Sequence, residues 1–570
     1  MRELDLLLRG GKILDVYRLR IFRGWVGIAG GKFVYVEEGN PPAGIDAREV
    51  YDLGGALIAP GLIDAHMHVE SSLLAPRRFA AAVLSHGTTC VLADPHEIAN
   101  VAGKEGVRWF WEATRALPLR VYLAVPSSVP PTEAPLETPN AALSPEDVAE
   151  LLGLPDAIAL GEVMDYRGLA RGTGRYAAEI AAARAARCTV EGHAPALSGT
   201  ELSGYISHGI HSDHTLMSPG KLAEEITKGV VAMLQEKSLS PEVMELVRSL
   251  PDRSRCLLVT DDVPPSRLLE GHLSRVLLRA VELGLPPEEA FAMATARPAA
   301  YLGLRHLGAV APGREADFLL MDDPTSFPPR IVYVRGQKVA EGGKCVARIP
   351  AHIPAPPAHP PIPGPFSADD FSLPVEGEVE AHVVEVLNRE NSLTGLARVT
   401  VTVRDGLPVR PRGLAVVGVF ARRGGGRCLG LLRGLGMREG AIATSFAHDS
   451  HNLLVVGRSP ADMAAAANVV HRHGGGIAVV RGGSPIAFLH LPLFGLLADA
   501  SPGEVAASLQ RIEDALRELG VAHKRPFLLI SVLSLTVSPY YKFSDKGIVD
   551  VKGRRVIAPF PNKPRYGTAL

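Results

Sequence analysis

The segment "GLIDAHMHVESS", residues 61–72, places His66 and His68 two positions apart behind an apolar run, with Glu70 two positions further on. Side chains alternate along a strand, so both imidazoles point the same way. Neighbouring imidazoles repel if protonated, and a divalent cation between them makes the arrangement favourable. A hydrogen-bonded core pair is the other reading of this spacing. Further apolar runs finish on the same kinds of residue. "LGEV" carries Glu162, "EGHAP" His193, "HSDHT" His211, Asp213 and His214, and "VTDDVP" Asp261 and Asp262. "ADPHEIAN" adds Asp94, His96 and Glu97. A single Asp at such a place is ordinarily a cap or turn former. Imidazoles and carboxylates recurring at run after run are explained most economically by one shared metal site. Nitrogen and oxygen donors without sulfur suit Mn, Fe or Zn, and a carboxylate such as Glu162 can bridge two ions.

Something must bring these run ends together. Between residues 61 and 304 the sequence alternates eight short apolar runs with amphipathic helical stretches such as "RRFAAAVLSH" and "SRVLLRAVELG". Eight strand–helix repeats over about 250 residues predict a (β/α)8 barrel, which holds its chemistry at the carboxyl ends of its strands. Residues 1–60 read instead as short strands with glycine turns, and the same texture returns in "LGAVAPGREADFLLMDD" and "RIVYVRGQKVAEGG". A small β domain formed by residues 1–60 and 305–345, with the barrel inserted at 61–304, is the expected arrangement. The proline-dense 346–367 excludes helix and central strand and predicts a stiff connector. Residues 368–570 predict a C-terminal α+β domain, with helices at "SPADMAAAANVVHRHG" and "SPGEVAASLQRIEDALRELG". The glycine clusters at 424–426 and 474–476 match no phosphate-binding motif and read as turns.

Composition narrows the partners. A net charge of −1, with 21 % charged residues, supplies no long-range field to recruit nucleic acid or acidic lipid. Five scattered cysteines without a CxxC argue against a disulfide framework or a thiolate zinc site, and fit a reducing cytoplasm. "PFLLISVLSLTVSPYY" falls short of a membrane span. The expected partners are a small molecule and water, with no nucleic acid, no membrane and a homo-oligomer, taken as a dimer.

The wording of these motifs resembles a known family. His66-x-His68, Glu162, His193, His214 and Asp261, in this order, resemble the amidohydrolase superfamily of metal-dependent barrel hydrolases. "GTTCVLADPHEIANVAG", "EGHAPALSGTELSGYISHGIHSDHT", "LVTDDVPPSRLLEGHL" and "FAHDSHNLLVVG" look like segments of the bacterial and archaeal adenine deaminases, and the likeness covers nearly the whole chain. The resemblance implies a binuclear site, with His66, His68 and Asp261 on one ion, His193 and His214 on the other, and Glu162 bridging. It also implies hydrolytic deamination of adenine to hypoxanthine and ammonia by metal-activated hydroxide, with manganese the expected metal and purine salvage the expected setting. One departure is Lys237 in "AMLQEKSL", where the family pattern has glycine.

In that chemistry Asp261 is expected to carry the proton from hydroxide to the departing ammonia, and His214 to orient or polarise the incoming group. Glu70, Glu97 and Glu162 are candidates for the acid at the ring nitrogen. Asp94, His96 and Glu97 either bind a further ion, support the ligands, or form a strand-end turn. Glu70, Ser71 and Asp262 are substrate-binding candidates. So are His448, Asp449 and His451 of "AHDSHN", which either read the base or form a hydrogen-bonded loop in their own domain. A deaminase of another aminated heterocycle, a cyclic amidase and a non-catalytic barrel scaffold are the rival readings.

Overall fold

The computed structural model describes residues 3–132, 136–170, 175–409 and 413–561. The chain falls into two compact units: residues 1–95, 110–127 and 145–354 form the first, and residues 96–109, 128–144 and 355–570 form the second. Residues 96–109 and 128–144 lie inside the stretch read from sequence as barrel, yet they belong with the C-terminal residues.

In the first unit, the early and late sets of short strands meet in one nine-stranded sheet. Leu57–Pro60 runs antiparallel to Phe318–Met321, with Ile58 opposite Leu320. Leu6, Leu8, Ile13, Val26, Ile58, Phe318 and Leu320 share one apolar cluster. That burial explains why segments some 250 residues apart in the chain associate. Arg120 ties this sheet to the barrel, its Nε donating to Asp317 Oδ2 at 2.6 Å in a buried ion pair.

The barrel strands follow chain order. Leu62–His68, Thr88–Ala93, Arg120–Val125, Ala157–Val163 and Thr189–Gly192 pair in parallel, as do Ser212–Asp213, Val231–Leu234 and Cys256–Leu258. His211 N donates to the Val190 carbonyl at 2.9 Å, joining the two arcs. The ring closes where Asp261 and Asp262 pair in parallel with Met67 and His68. Strands covered on both faces read as continuous apolar runs rather than alternating ones, and all six residues of Thr88–Ala93 are buried. Alternation appears only in chemistry. On Leu62–His68, Ile63 and Ala65 join the apolar cluster with Leu92 and Met233, while Asp64, His66 and His68 occupy the other face.

In the second unit a nine-stranded sheet runs from Leu407–Pro408 at one edge to Ser484–His490 at the other. The helix Pro460–Arg472 packs Met463, Ala466, Ala467 and Val470 into its core. The helix Pro502–Glu518 begins with a capping box of Ser501 and Glu504, and each of these helices has Pro at its first position, as N-terminal preference dictates. No helix or strand interrupts residues 346–367. All five cysteines are free. No helix of the described residues is long and apolar enough to cross a membrane.

Candidate metal centre

The carboxyl ends of the barrel strands converge. Donor atoms of His66, His68 and Asp261 lie within 4.8 Å of one another, and so do those of His66, Glu162 and His214. His68 Nε2 is 3.5 Å from both Glu162 Oε1 and Asp261 Oδ1, His66 Nε2 is 3.7 Å from Asp261 Oδ1, and His214 Nε2 is 3.2 Å from Glu162 Oε2. The His66 and His214 rings stack with centroids 3.8 Å apart. All five side chains are buried. His193 is less enclosed, with its side chain 26 % exposed, and touches the group through Nδ1, 2.5 Å from Glu162 Oε2. His66 thus belongs to both clusters, whereas the sequence-based division put it on one ion only and paired His193 with His214.

Each donor is held from behind. The His68 Nδ1–H donates to the Asp94 carbonyl at 3.0 Å, which leaves Nε2 facing the carboxylates. Asp94 Oδ2 accepts from the Glu162 backbone N–H at 3.2 Å. Gly161 permits this approach: a Cβ there would sit 2.2 Å from Asp94 Oδ2. Gln235 donates to the His214 carbonyl at 2.6 Å. Asp213 accepts from the Ala194 backbone N–H at 2.7 Å and pairs with Lys221, bracing the segments that carry His193 and His214.

A second buried assembly joins the first and last strands beneath the site. Asp64 Oδ2 accepts from Thr260 Oγ1 at 2.6 Å and Asp64 Oδ1 from the Thr260 N–H at 3.2 Å. His272 continues the chain, with Nε2 3.3 Å from Thr260 Oγ1 and Nδ1 3.0 Å from Thr88 Oγ1. The next residue, Asp261, has φ +61°, a left-handed conformation uncommon outside glycine. Asp64 had a sequence signal, since it shares the strand face of His66; Thr260 and His272 had none.

The electrostatics suit a cation. Burial, then His214, pushes His66 down to about 4, so its imidazole is neutral. Its Nε2 is buried without a hydrogen-bond partner among the described residues. Burial opposes ionisation of Glu162 and Asp261, yet the imidazoles around them hold both well below the usual carboxylate range. Burial lowers His214, but the Glu162 carboxylate lifts it to about 9. A neutral His66 nitrogen and two ionised, buried carboxylates face one small volume, and once His68 and His214 give up the protons that these carboxylates hold on them, the group is the donor set a divalent ion requires.

The remaining candidates are placed as follows. Glu70 is wholly buried in the short 3-10 turn Val69–Ser72. Ser71 Oγ donates to Asp262, which is exposed. Lys237, 58 % exposed, reaches back to Asp261 Oδ2 at 3.4 Å. His211 faces away from this chemistry, accepting the Val190 N–H on Nδ1. In the second unit, His448 Nδ1 and His451 Nε2 contact the two oxygens of Glu97, with His96 and Asp449 beside it.

A profile described as the amidohydrolase family matches residues 57–339, which span this barrel and its ligands. The fold and site define a metal-dependent hydrolase of that class. A second profile, the adenine deaminase C-terminal domain, matches residues 391–555. The adenine deaminase of Methanothermobacter thermautotrophicus is 38 % identical over 546 residues, covering 95 % of this chain and 98 % of its own. Those of Nitratidesulfovibrio vulgaris strain Hildenborough, 38 % identical over 563 residues, and Desulfatibacillum aliphaticivorans, 36 % over 560, each cover 96 % of this chain and 95 % of their own. The chain belongs to the adenine deaminase family.

Proposed function

We propose that this chain hydrolyses adenine to hypoxanthine and ammonia at the centre built by His66, His68, Glu162, His193, His214 and Asp261, with two divalent cations, manganese foremost, as cofactor. The observation that carries the proposal is the gathering of five buried donors at the carboxyl ends of four barrel strands, in a chain of this family. When bound, such ions lower the pKa of a coordinated water from about 16 toward 7, so that hydroxide is available at neutral pH. Glu162 has one oxygen toward His68 and the other toward His193 and His214, the orientation a bridging ligand needs.

The chain's own residues move the protons. Asp261, ionised and turned inward by its left-handed backbone, accepts the proton of the attacking water and passes it to the departing ammonia. The ring nitrogen must be protonated for C6 to accept electrons. Glu162 is held ionised and is a poor donor. Although burial opposes it, His451 and His448 hold Glu97 ionised as well. That leaves Glu70, buried immediately after the His66–His68 pair, as the acid. The assumed setting is purine salvage in the cytoplasm, by a homodimer.

Ammonia release from adenine by chain reconstituted with Mn, Fe or Zn tests this reading, with dihydropyrimidines and hydantoins in parallel. Turnover of adenine alone is the expected result. Ring opening of the cyclic amides without deamination would place the chain among the amidases, and inactivity toward adenine with all three metals would refute the proposal.

A further inference from the structure

The second unit contains its own cluster of metal-ligating side chains. His96 and Glu97 open the helix His96–Thr114, and His448, Asp449 and His451 lie in the loop between the strands Ala441–Thr444 and Leu453–Gly457. All of these side chains are largely buried. One donor atom from each of His96, Glu97 and Asp449 lies within 4.8 Å of the other two. His96 Nε2 is 3.9 Å from Glu97 Oε1, and His448 Nδ1 is 3.8 Å from Asp449 Oδ1.

The hydrogen bonds assign roles within this group. His451 Nδ1 accepts the Ala447 N–H at 3.2 Å, so the neutral ring carries its proton on Nε2 and donates it to Glu97 Oε2. His451 is therefore a buttress that orients the carboxylate, as outer partners of metal ligands do. Glu97 Oε1 then turns toward His96, His448 Nδ1 and Asp449. Asn100 Nδ2 donates to the His96 carbonyl at 2.9 Å and steadies the first helical turn. Two imidazoles and two carboxylates, without sulfur, form a donor set for Mn, Fe or Zn. Ligand atoms bound to a common ion at about 2.1 Å lie between about 3 and 4 Å apart, the range of the 3.9 Å His96–Glu97 and 3.8 Å His448–Asp449 spacings.

We propose that His96, Glu97, His448 and Asp449 bind a divalent cation of their own, additional to the barrel pair, with His451 fixing Glu97. Such an ion clips the start of the helix His96–Thr114 to the loop before Leu453–Gly457, joining segments some 350 residues apart in the chain. The unfolded chain lacks this site, so binding of the ion stabilises the folded unit.

The test is metal content of the full chain, purified from Mn-supplemented medium without chelator and desalted, by plasma mass spectrometry. Asp449→Asn and His96→Gln are each expected to hold one ion fewer per chain than wild type. His66→Ala, which disrupts the barrel centre, is expected to leave this ion in place. Crystals of wild type measured at the manganese edge should show an anomalous peak among His96, Glu97 and Asp449. That measurement decides the matter if the variants misfold. Wild-type metal content in both variants, or no anomalous peak at this position, overturns the proposal and leaves a hydrogen-bonded latch. None of these readings depends on whether adenine is turned over, so they stand apart from the deaminase assay.

Discussion

Thr260→Val isolates the buried seam between the first and last barrel strands. Valine keeps the shape of threonine and removes one donor, Oγ1–H, which lies 2.6 Å from Asp64 Oδ2. Burial lifts Asp64 to about 7, so above neutral pH its carboxyl is ionised. A hydrogen bond to that charged acceptor contributes about 1.5–3 kcal/mol, and its loss here also strands His272 Nε2, 3.3 Å from the same oxygen. Holding Asp261 at φ +61° costs about 1–2 kcal/mol relative to the right-handed region. The seam is thus about as strong as the strain it offsets, and removing the hydroxyl lets Asp261 relax away from His66 and His68. A displacement near 1 Å in such a group costs about 10²-fold in rate. Steady-state deamination of adenine by metal-loaded protein should therefore show kcat lower by about 10²-fold in Thr260→Val, with KM little changed. Thr260→Ser, which keeps the hydroxyl, should recover most of the loss. A Thr260→Val enzyme with kcat within about twofold of wild type would refute the reasoning, because the seam would then not govern Asp261.

Further outcomes follow from the same geometry. His66→Ala and Glu162→Gln should lose metal and activity together, by about 10³-fold or more, since each side chain serves more than one cluster; metal analysis beside the deaminase assay checks this. Asp261→Asn should lower kcat by several orders of magnitude with only partial metal loss, because a ligand and a proton carrier are removed at once. Glu70→Gln should keep its metal and lose about 10²–10⁴-fold in kcat, and retained turnover would remove Glu70 as the ring acid. Lys542 is wholly buried, its Nζ donating to the Ser392 carbonyl at 3.2 Å, and burial pulls it from 10.5 to about 7. Between those values the unfolded chain binds a proton that the folded chain lacks, so stability rises with pH by about 1.4 kcal/mol per unit across that window. Urea midpoints measured from pH 6.5 to 9.5 should climb more steeply for wild type than for Lys542→Met, and parallel curves would show that Lys542 is not the cause.

The barrel was legible because its two demands leave opposite marks on the chain. Strands buried on both faces require unbroken apolar runs, and a cation requires imidazoles and carboxylates, so His66, His68, Glu162, His193, His214 and Asp261 stand out where each run ends. The helices at 460–472 and 502–518 were equally visible, since Ser–Pro starts and an apolar stripe are local properties. What local pattern does not encode is which distant side chain a polar group meets. Asp64 and Thr260 are 196 residues apart, and nothing near Thr260 marks it as the partner of the carboxylate two places before His66. Lys237 read as a departure from a motif until its Nζ was seen to reach Asp261. Glu97 was one acidic residue in "DPHE" until folding set it between His448 and His451 and grouped residues 96–109 with a unit that lies mostly beyond residue 355. Periodicity and composition act over a few residues and are written in order along the chain. Hydrogen bonds, strained backbone and the choice of unit depend on closeness in space, which exists only once the chain has closed.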